Sequence, residues 1–86
     1  MFTIKFKESA VKELQKLPQD TQQRIYDLCK TLSEKGIFNM NGIKALKGMK
    51  GIYRYRIGKY RVLLHQDSIQ KQITVMKVSL RDKAYL

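Results

Sequence analysis

The sequence is poor in the residues that build disulfides and metal sites. It holds one cysteine (Cys29), one histidine (His65) and no tryptophan among 86 residues. A single cysteine cannot form an internal disulfide, and one cysteine with one histidine cannot complete a Cys/His metal site. The composition therefore excludes a disulfide scaffold and a zinc centre of that type. We interpret Cys29, on the apolar face of a predicted helix, as a core residue rather than a nucleophile.

Long apolar runs are also missing. No stretch approaches the length of a membrane-spanning helix, and the opening "MFTIKFKESA" lacks the apolar segment of a secretion signal. The sequence shows no internal repeat and no low-complexity linker. We therefore expect one domain over residues 1–86, located in the reducing cytoplasm.

Acidic residues are scarce. The chain has 7 Asp and Glu against 18 Lys and Arg, which gives a net charge of +11. The imbalance is local, because the stretch from Lys35 to His65 contains eight cations and no acid. Such a field attracts polyanions, which are nucleic acid, an acidic protein or an anionic membrane.

The first half of the chain has the periods of one strand and two helices. Alternation in "FTIKF" predicts a strand over residues 2–6, and Ser9 is a candidate N-cap for the first helix. Pro18 suits the first turn of a second helix, and Gly36 is placed to end it. Each predicted helix has one apolar face. That of the first helix contains Ala10, Val11, Leu14 and Leu17, and that of the second contains Ile25, Leu28, Cys29 and Leu32.

The second half predicts a sheet. Residues 37–51 are read as a glycine-containing loop, followed by strands at about 52–57, 60–66 and 72–78. The order β-α-α-β-β-β is typical of an α+β fold. We expect a helical hairpin packed on a twisted, antiparallel-rich, four-stranded sheet.

The stretch "YRYRIGKYR" concentrates cations in a predicted hairpin whose turn is Gly58-Lys59, of type II′. Arg56 then lies opposite Arg61, and like charges in that arrangement destabilise a sheet by a few tenths to about 1 kcal/mol. A bound phosphate would neutralise the repulsion, so we interpret the outward arginine face as an anion site. The predicted register pairs Ile57 with Tyr60, Arg56 with Arg61, Tyr55 with Val62, Arg54 with Leu63, and Tyr53 with Leu64.

The C-terminal "LRDKAYL" adds two candidate site residues, Arg81 and Tyr85. One helical turn would bring them together, because they are four positions apart. From the residues alone, Tyr85 is a packing residue, a general acid or base, or a ring that stacks on a nucleobase. The segment "GIKALKGMKG" lacks the Gly-Lys-Ser/Thr ending of a P-loop, which argues against nucleoside triphosphate binding.

The central segment "KALKGMKGIYRYRIGKYRVLL" resembles the core signature of the RelE/ParE toxin superfamily. These proteins are the toxin halves of type II toxin–antitoxin pairs. The likeness extends over the whole chain through "AVKELQKLP", "RIYDL" and "ITVMKVSLRDKAY".

The resemblance implies a ribosome-dependent endoribonuclease that cuts mRNA in the A site through the RNA's own 2′-OH, without a metal or other cofactor. It implies that Arg56 and Arg61 stabilise the phosphorane, that Arg81 neutralises or protonates the leaving 5′-oxygen, and that Tyr85 helps to activate the 2′-OH or stacks on a base. The implied partners are the ribosome, mRNA and an acidic antitoxin. The residues implied in RNA binding are Lys44, Lys47, Lys50, Arg54 and Lys59.

Two other functions fit the same signature. ParE-like members of the superfamily inhibit DNA gyrase without nuclease chemistry, and a basic RNA-binding module without toxicity would also carry this charge. Many RelE-like members have a histidine where this chain has Leu80, and this departure removes the most obvious acid or base of the family and leaves proton transfer weakly assigned.

Overall fold

A computed structural model describes residues 1–80 of the chain. Two helices pack on a mostly antiparallel five-stranded sheet, which confirms the predicted α+β class. The elements in chain order are β1 (Thr3–Phe6), α1 (Glu8–Gln15), α2 (Gln19–Lys35), a 3₁₀ turn (Ile37–Asn39), β2 (Lys44–Ala45), β3 (Ile52–Ile57), β4 (Tyr60–Asp67) and β5 (Gln72–Leu80).

The sheet has one strand more than the sequence predicted. Strand β2 consists of two residues inside the segment that we expected to be a loop, and it pairs with β3. The strand order is β1-β5-β4-β3-β2, in which β1 runs parallel to β5 and all other neighbours are antiparallel. A two-residue strand has no period of its own, so alternation in the sequence could not reveal it.

The helix boundaries differ slightly from the prediction. Helix α1 begins at Glu8, and Ser9 lies inside it rather than acting as its N-cap. Pro18 immediately precedes α2, and its carbonyl accepts the N–H of Gln22 at 3.0 Å. Gly36 ends α2 as predicted, with a φ of 78° that favours glycine.

The β3–β4 hairpin has the predicted register at every position. Arg56 lies opposite Arg61, and the pairs continue from Ile57–Tyr60 to Ile52–His65. Gly58 has a φ of 57°, as the first turn position of a type II′ hairpin requires.

The core lies between the helices and one face of the sheet. Helix α1 contributes Ala10 and Leu14, whereas Val11, which we placed on the same apolar face, is 37% exposed. All four apolar residues predicted for α2 are buried there. The core residues of α2 and the central strands are Ile25, Leu28, Cys29, Leu32, Val62, Leu64, Ile73, Val75 and Val78.

A β-bulge in β5 decides which of its residues enter the core. Leu63 pairs with Lys77 and Leu64 pairs with Val75, so Met76 is an extra residue on β5. Because of this shift, Val75 and Val78 both face the helices although they are three positions apart, and Lys77 faces away. No helix among residues 1–80 is long and apolar enough to cross a membrane.

Candidate functional site

The side of the sheet opposite the helices, here called the reverse face, gathers cations from four strands. Directly paired residues share a face, so one row across the sheet contains Lys44, Arg54, Leu63 and Lys77. The adjacent row contains Arg56, Arg61 and Ser79. Neither row contains an acidic residue, although Lys77 at the end of the first row forms an ion pair with Glu13 of α1.

The two facing arginines occupy different environments. Arg56 is exposed, whereas Arg61 is only 1% exposed. We had expected both to face solvent, and that expectation is wrong for Arg61. Arg61 lies in β4, the central strand of the sheet, whereas Arg56 lies in β3 beside the short β2.

The four lysines predicted to bind RNA are all exposed, one within the first row and three at the margin of the reverse face. Lys44 lies in β2, and Lys47 and Lys50 lie in the loop between β2 and β3. That loop is a defined turn, because Leu46 N–H donates to Ile52 O at 2.9 Å and Met49 N–H donates to Leu46 O at 3.2 Å. Lys59 occupies the β3–β4 turn, and its Nζ lies 5.7 Å from the centre of the Tyr60 ring.

Two of the predicted site residues cannot be placed. Arg81 and Tyr85 lie outside the described residues, so the roles that the resemblance implies for them stay predictions. The remaining predicted residues, Arg54, Arg56, Arg61, Lys44, Lys47, Lys50 and Lys59, lie on the reverse face or on the turns and loops at its margin.

Lys77 belongs to this surface and was not predicted. Simple alternation in β5 would have placed it with Val75 in the core, and only the bulge at Met76 turns it outward. Its Nζ lies 3.1 Å from Oε2 of Glu13, and Oε1 of Glu13 accepts the N–H of Val78 at 3.0 Å. The spacing Val75–Val78 in the sequence is the signal that could have indicated the bulge.

Cys29 and His65 are the described cysteine and histidine, and they lie in different parts of the molecule. Burial raises the pKa of the Cys29 thiol from 9.0 to about 11, so this thiol is neutral at physiological pH. His65 is half-buried on the reverse face, with its Cδ2 3.5 Å from the position of a Cβ on Gly51. Among residues 1–80, no group of three or more His, Cys, Asp or Glu could hold a metal ion.

This arrangement can bind phosphates and stabilise negative charge. Guanidinium groups present planar sets of donors that match phosphate oxygens, and they keep their charge at any physiological pH. The exposed Arg56 and the exposed lysines beside it present such donors to an anion on the reverse face.

Comparison with known proteins finds similar chains over nearly the full length. The candidate toxin RelE1 of Methanocaldococcus jannaschii is 35% identical over 88 aligned positions, covering 98% of this chain and 94% of that protein. No protein-family model matches the chain.

Solved structures give the same result for the fold. The archaeal RelE–RelB complex from Pyrococcus horikoshii OT3 has a chain that matches with a TM-score of 0.80 and 26% identity, covering 93% of this chain and 94% of that one. The RelB–RelE antitoxin–toxin complex from Methanococcus jannaschii also has a chain with a TM-score of 0.80 and 26% identity, covering 94% of both chains.

Proposed function

This chain belongs to the RelE family of toxins, and from that premise we propose that it is the toxin of a type II toxin–antitoxin system that cleaves mRNA on the ribosome. The cut falls in the A site, and the attacking group is the 2′-OH of the mRNA itself. The protein acts in the cytoplasm, where its substrate is translated.

The observation that carries this proposal is the pair of acid-free rows on the reverse face. Arg56 and Arg61 are directly opposite each other in neighbouring strands, and Arg54 and Lys44 lie in the next row. Lys44, Arg54 and Arg56 carry charge of one sign on neighbouring positions of β2 and β3, which favours binding of an anion at this face. A phosphodiester chain carries such an anion at every nucleotide.

The reaction needs orientation and charge stabilisation more than a protein nucleophile. The 2′-oxygen attacks the adjacent phosphorus and loses its proton, and the bond from phosphorus to the 5′-oxygen breaks as that oxygen gains a proton. The products are a 2′,3′-cyclic phosphate and a 5′-hydroxyl. Arg56, which is exposed, contacts the phosphorane, whose negative charge exceeds that of the ground state. Arg61, which is buried directly opposite Arg56, adds its positive charge to the stabilisation.

The margin of the face binds the rest of the RNA. Lys44, Lys47, Lys50, Arg54 and Lys59 contact phosphates on either side of the cut, and these contacts position the chain without reading its sequence. Arg81 and Tyr85 keep the roles that the resemblance implies, at the leaving oxygen and at the 2′-OH.

An acidic antitoxin is the second partner. The solved relatives from Pyrococcus horikoshii and Methanococcus jannaschii are complexes of RelE with RelB. We propose that a comparable protein binds this chain and pairs its acidic side chains with the cations of the reverse face. Adding that partner should abolish the cleavage of A-site mRNA on programmed ribosomes.

The test is single-turnover cleavage of A-site mRNA on programmed ribosomes with saturating protein. Arg56→Ala is the informative variant, because Arg56 is exposed and its removal should leave the fold intact. Losing one transition-state charge contact should lower the rate by about 10²–10³. The control is Lys30→Ala, which removes one positive charge from an exposed position on α2, on the helix side of the sheet. The cleavage rate of this variant should match that of the wild type.

Two results would contradict the proposal. Intact mRNA with wild-type protein, together with loss of DNA supercoiling in the cell, would indicate a gyrase inhibitor. Ribosome binding without cleavage or growth arrest would indicate a basic RNA-binding module. Equal cleavage rates for wild type and Arg56→Ala would leave nuclease activity in place but remove the reverse face as its site.

A further inference from the structure

A cleft of about 280 Å³ lies between α2 and β3, around the sheet edge from the reverse face. Its apolar lining comes from Leu28, Met40 and Ile57, and its polar lining includes Arg24, Asp27 and Arg56. The cleft is continuous with the proposed catalytic face, because Arg56 belongs to both. None of the functions considered so far uses Arg24 or Asp27.

The edge of β3 is open at this cleft. Strand β2 pairs only with Tyr53 and Arg54, so no described strand covers Arg56 on that side. In a hairpin with a two-residue turn, the residues that flank the turn, here Ile57 and Tyr60, form a hydrogen-bonded pair. The N–H and C=O of Ile57 therefore point towards β4. Those of the preceding residue, Arg56, point away from β4 and towards the open edge. Ile52 lies four positions before Arg56, so its backbone groups point in the same direction. Its carbonyl accepts the N–H of Leu46, which lies on the β2 side, and this confirms that the backbone groups of Arg56 point away from β4.

The opening is too short for a partner strand. The residues before β2 close over Tyr55, because a Cβ on Gly42 would lie 3.2 Å from Tyr55 Cε1. What remains is one N–H and one C=O from a single residue, with an apolar surface beside them. A planar ligand with a donor and an acceptor on adjacent atoms fits this opening better than a peptide segment, which needs several residues of free edge.

Helix α2 contributes two charged side chains to the lining of the cleft, Arg24 and Asp27. Arg24 reaches the β3–β4 turn, where its Nη1 lies 3.7 Å from the position of a Cβ on Gly58. The Oδ1 of Asp27 accepts a hydrogen bond from Gln23 Nε2 at 3.0 Å, so its other oxygen is available to a ligand. Neither Arg24 nor Asp27 is in an ion pair with another residue of the described part of the chain.

We propose that this cleft binds one unpaired base of the RNA that crosses the reverse face. The base lies against Leu28 and Ile57, and the N–H and C=O of Arg56 bond to its edge. Asp27 accepts a hydrogen bond from an exocyclic amino group, and Arg24 contacts the attached phosphate. Because uracil has no amino group, the cleft selects guanine, adenine or cytosine over uracil. The inference rests on the proposed function in one respect, that RNA occupies the reverse face.

The test uses the isolated protein and four nucleoside monophosphates, followed by backbone amide chemical shifts. We expect GMP, AMP and CMP to shift the amides of α2 and β3 around the cleft, with GMP bound about tenfold more tightly than UMP. Asp27→Asn keeps the bond from Gln23 but loses the carboxylate, and should reduce that preference to about twofold. Glu34→Gln makes the same charge change at an exposed site on α2 and should leave the preference unchanged.

The outcomes separate this inference from the proposed function. Equal shifts with all four nucleotides and with inorganic phosphate would overturn the base pocket, and so would the absence of any shift at the cleft. Sequencing of cut sites gives an independent readout, in which Asp27→Asn should change the base preference near the cut while the total rate stays within about twofold. If the protein cuts no mRNA, the proposed function fails and the nucleotide titration still decides whether the cleft binds a base.

Discussion

Arg56 and Arg61 have the same side chain and directly opposite positions, yet they differ in what a substitution can show. Arg61 is buried to 1% exposure, so its aliphatic stem packs against neighbours as well as carrying charge. From the sequence we would expect Arg61→Ala to relieve repulsion and leave stability unchanged or higher. The burial reverses that expectation, because truncating a buried side chain commonly destabilises by about 1–3 kcal/mol. Arg56 is therefore the residue at which activity and stability can be separated.

Cys29 provides a prediction at the same scale. Its thiol is buried and its pKa is raised to about 11, since burial disfavours the charged thiolate. At pH 8 the thiolate fraction falls to about one in a thousand, against about one in ten for a pKa of 9, so alkylation by iodoacetamide should be at least about 100-fold slower than in the unfolded chain. The rate should rise about tenfold per pH unit up to pH 11. A rate at pH 8 equal to that in urea would show that the thiol is accessible.

At the scale of elements, the hairpin was predictable and the bulge was not. The register from Tyr53 to Leu64 follows from one turn signal, because Gly58-Lys59 fixes every later pair. The bulge at Met76 and the two-residue β2 depend on neighbouring strands, which the local sequence does not contain. The same holds for the burial of Arg61 and for the cleft beside Arg56. The bulge, strand β2 and the cleft all lie where an element ends or shifts against a neighbouring one.

Gly36 offers a test of an element boundary. Its φ of 78° and ψ of 167° lie in a region that glycine occupies almost alone, and an added Cβ would approach Phe2 Cε1 to 2.7 Å. We expect Gly36→Ala to lower the free energy of unfolding by about 3 kcal/mol, from backbone strain and from the clash with the Phe2 ring.

The control for that measurement is Gly48→Ala. Gly48 also has a positive φ, of 81°, but an added Cβ would meet no atom within 4 Å. Its cost should be the strain alone, about 1–2 kcal/mol. Urea unfolding of both variants gives the two costs, and equal values would mean that the Phe2 ring moves aside without penalty.

At the scale of the whole molecule, the net charge is not spread evenly. Over residues 8–35, which span both helices, five acids and five cations cancel. Residues 36–66 carry seven cations and no acid, so this stretch supplies most of the net charge of +11. The helices are thus nearly neutral while the reverse face and its margin are strongly positive. That polarity orients an approaching polyanion before any contact forms.

The polarity predicts a steep dependence of ribosome binding on salt. About six phosphate contacts, from the exposed cations of the face and its margin, should give a slope of about −4 in a plot of log K against log salt concentration. Affinity would then fall by about 300-fold between 50 and 200 mM salt. The double variant Lys47→Ala/Lys50→Ala removes two of those contacts and should reduce the slope by about 1.4.

The matched control for the salt series is the double variant Lys12→Ala/Lys30→Ala, which removes the same charge from exposed positions on α1 and α2. If the field of the whole molecule governed binding, both double variants would weaken it alike. If local phosphate contacts govern it, the control should keep the wild-type slope, because a slope counts counterions released at the contact and not charges elsewhere. A flat salt response in the wild-type protein would contradict a phosphate-binding reverse face altogether.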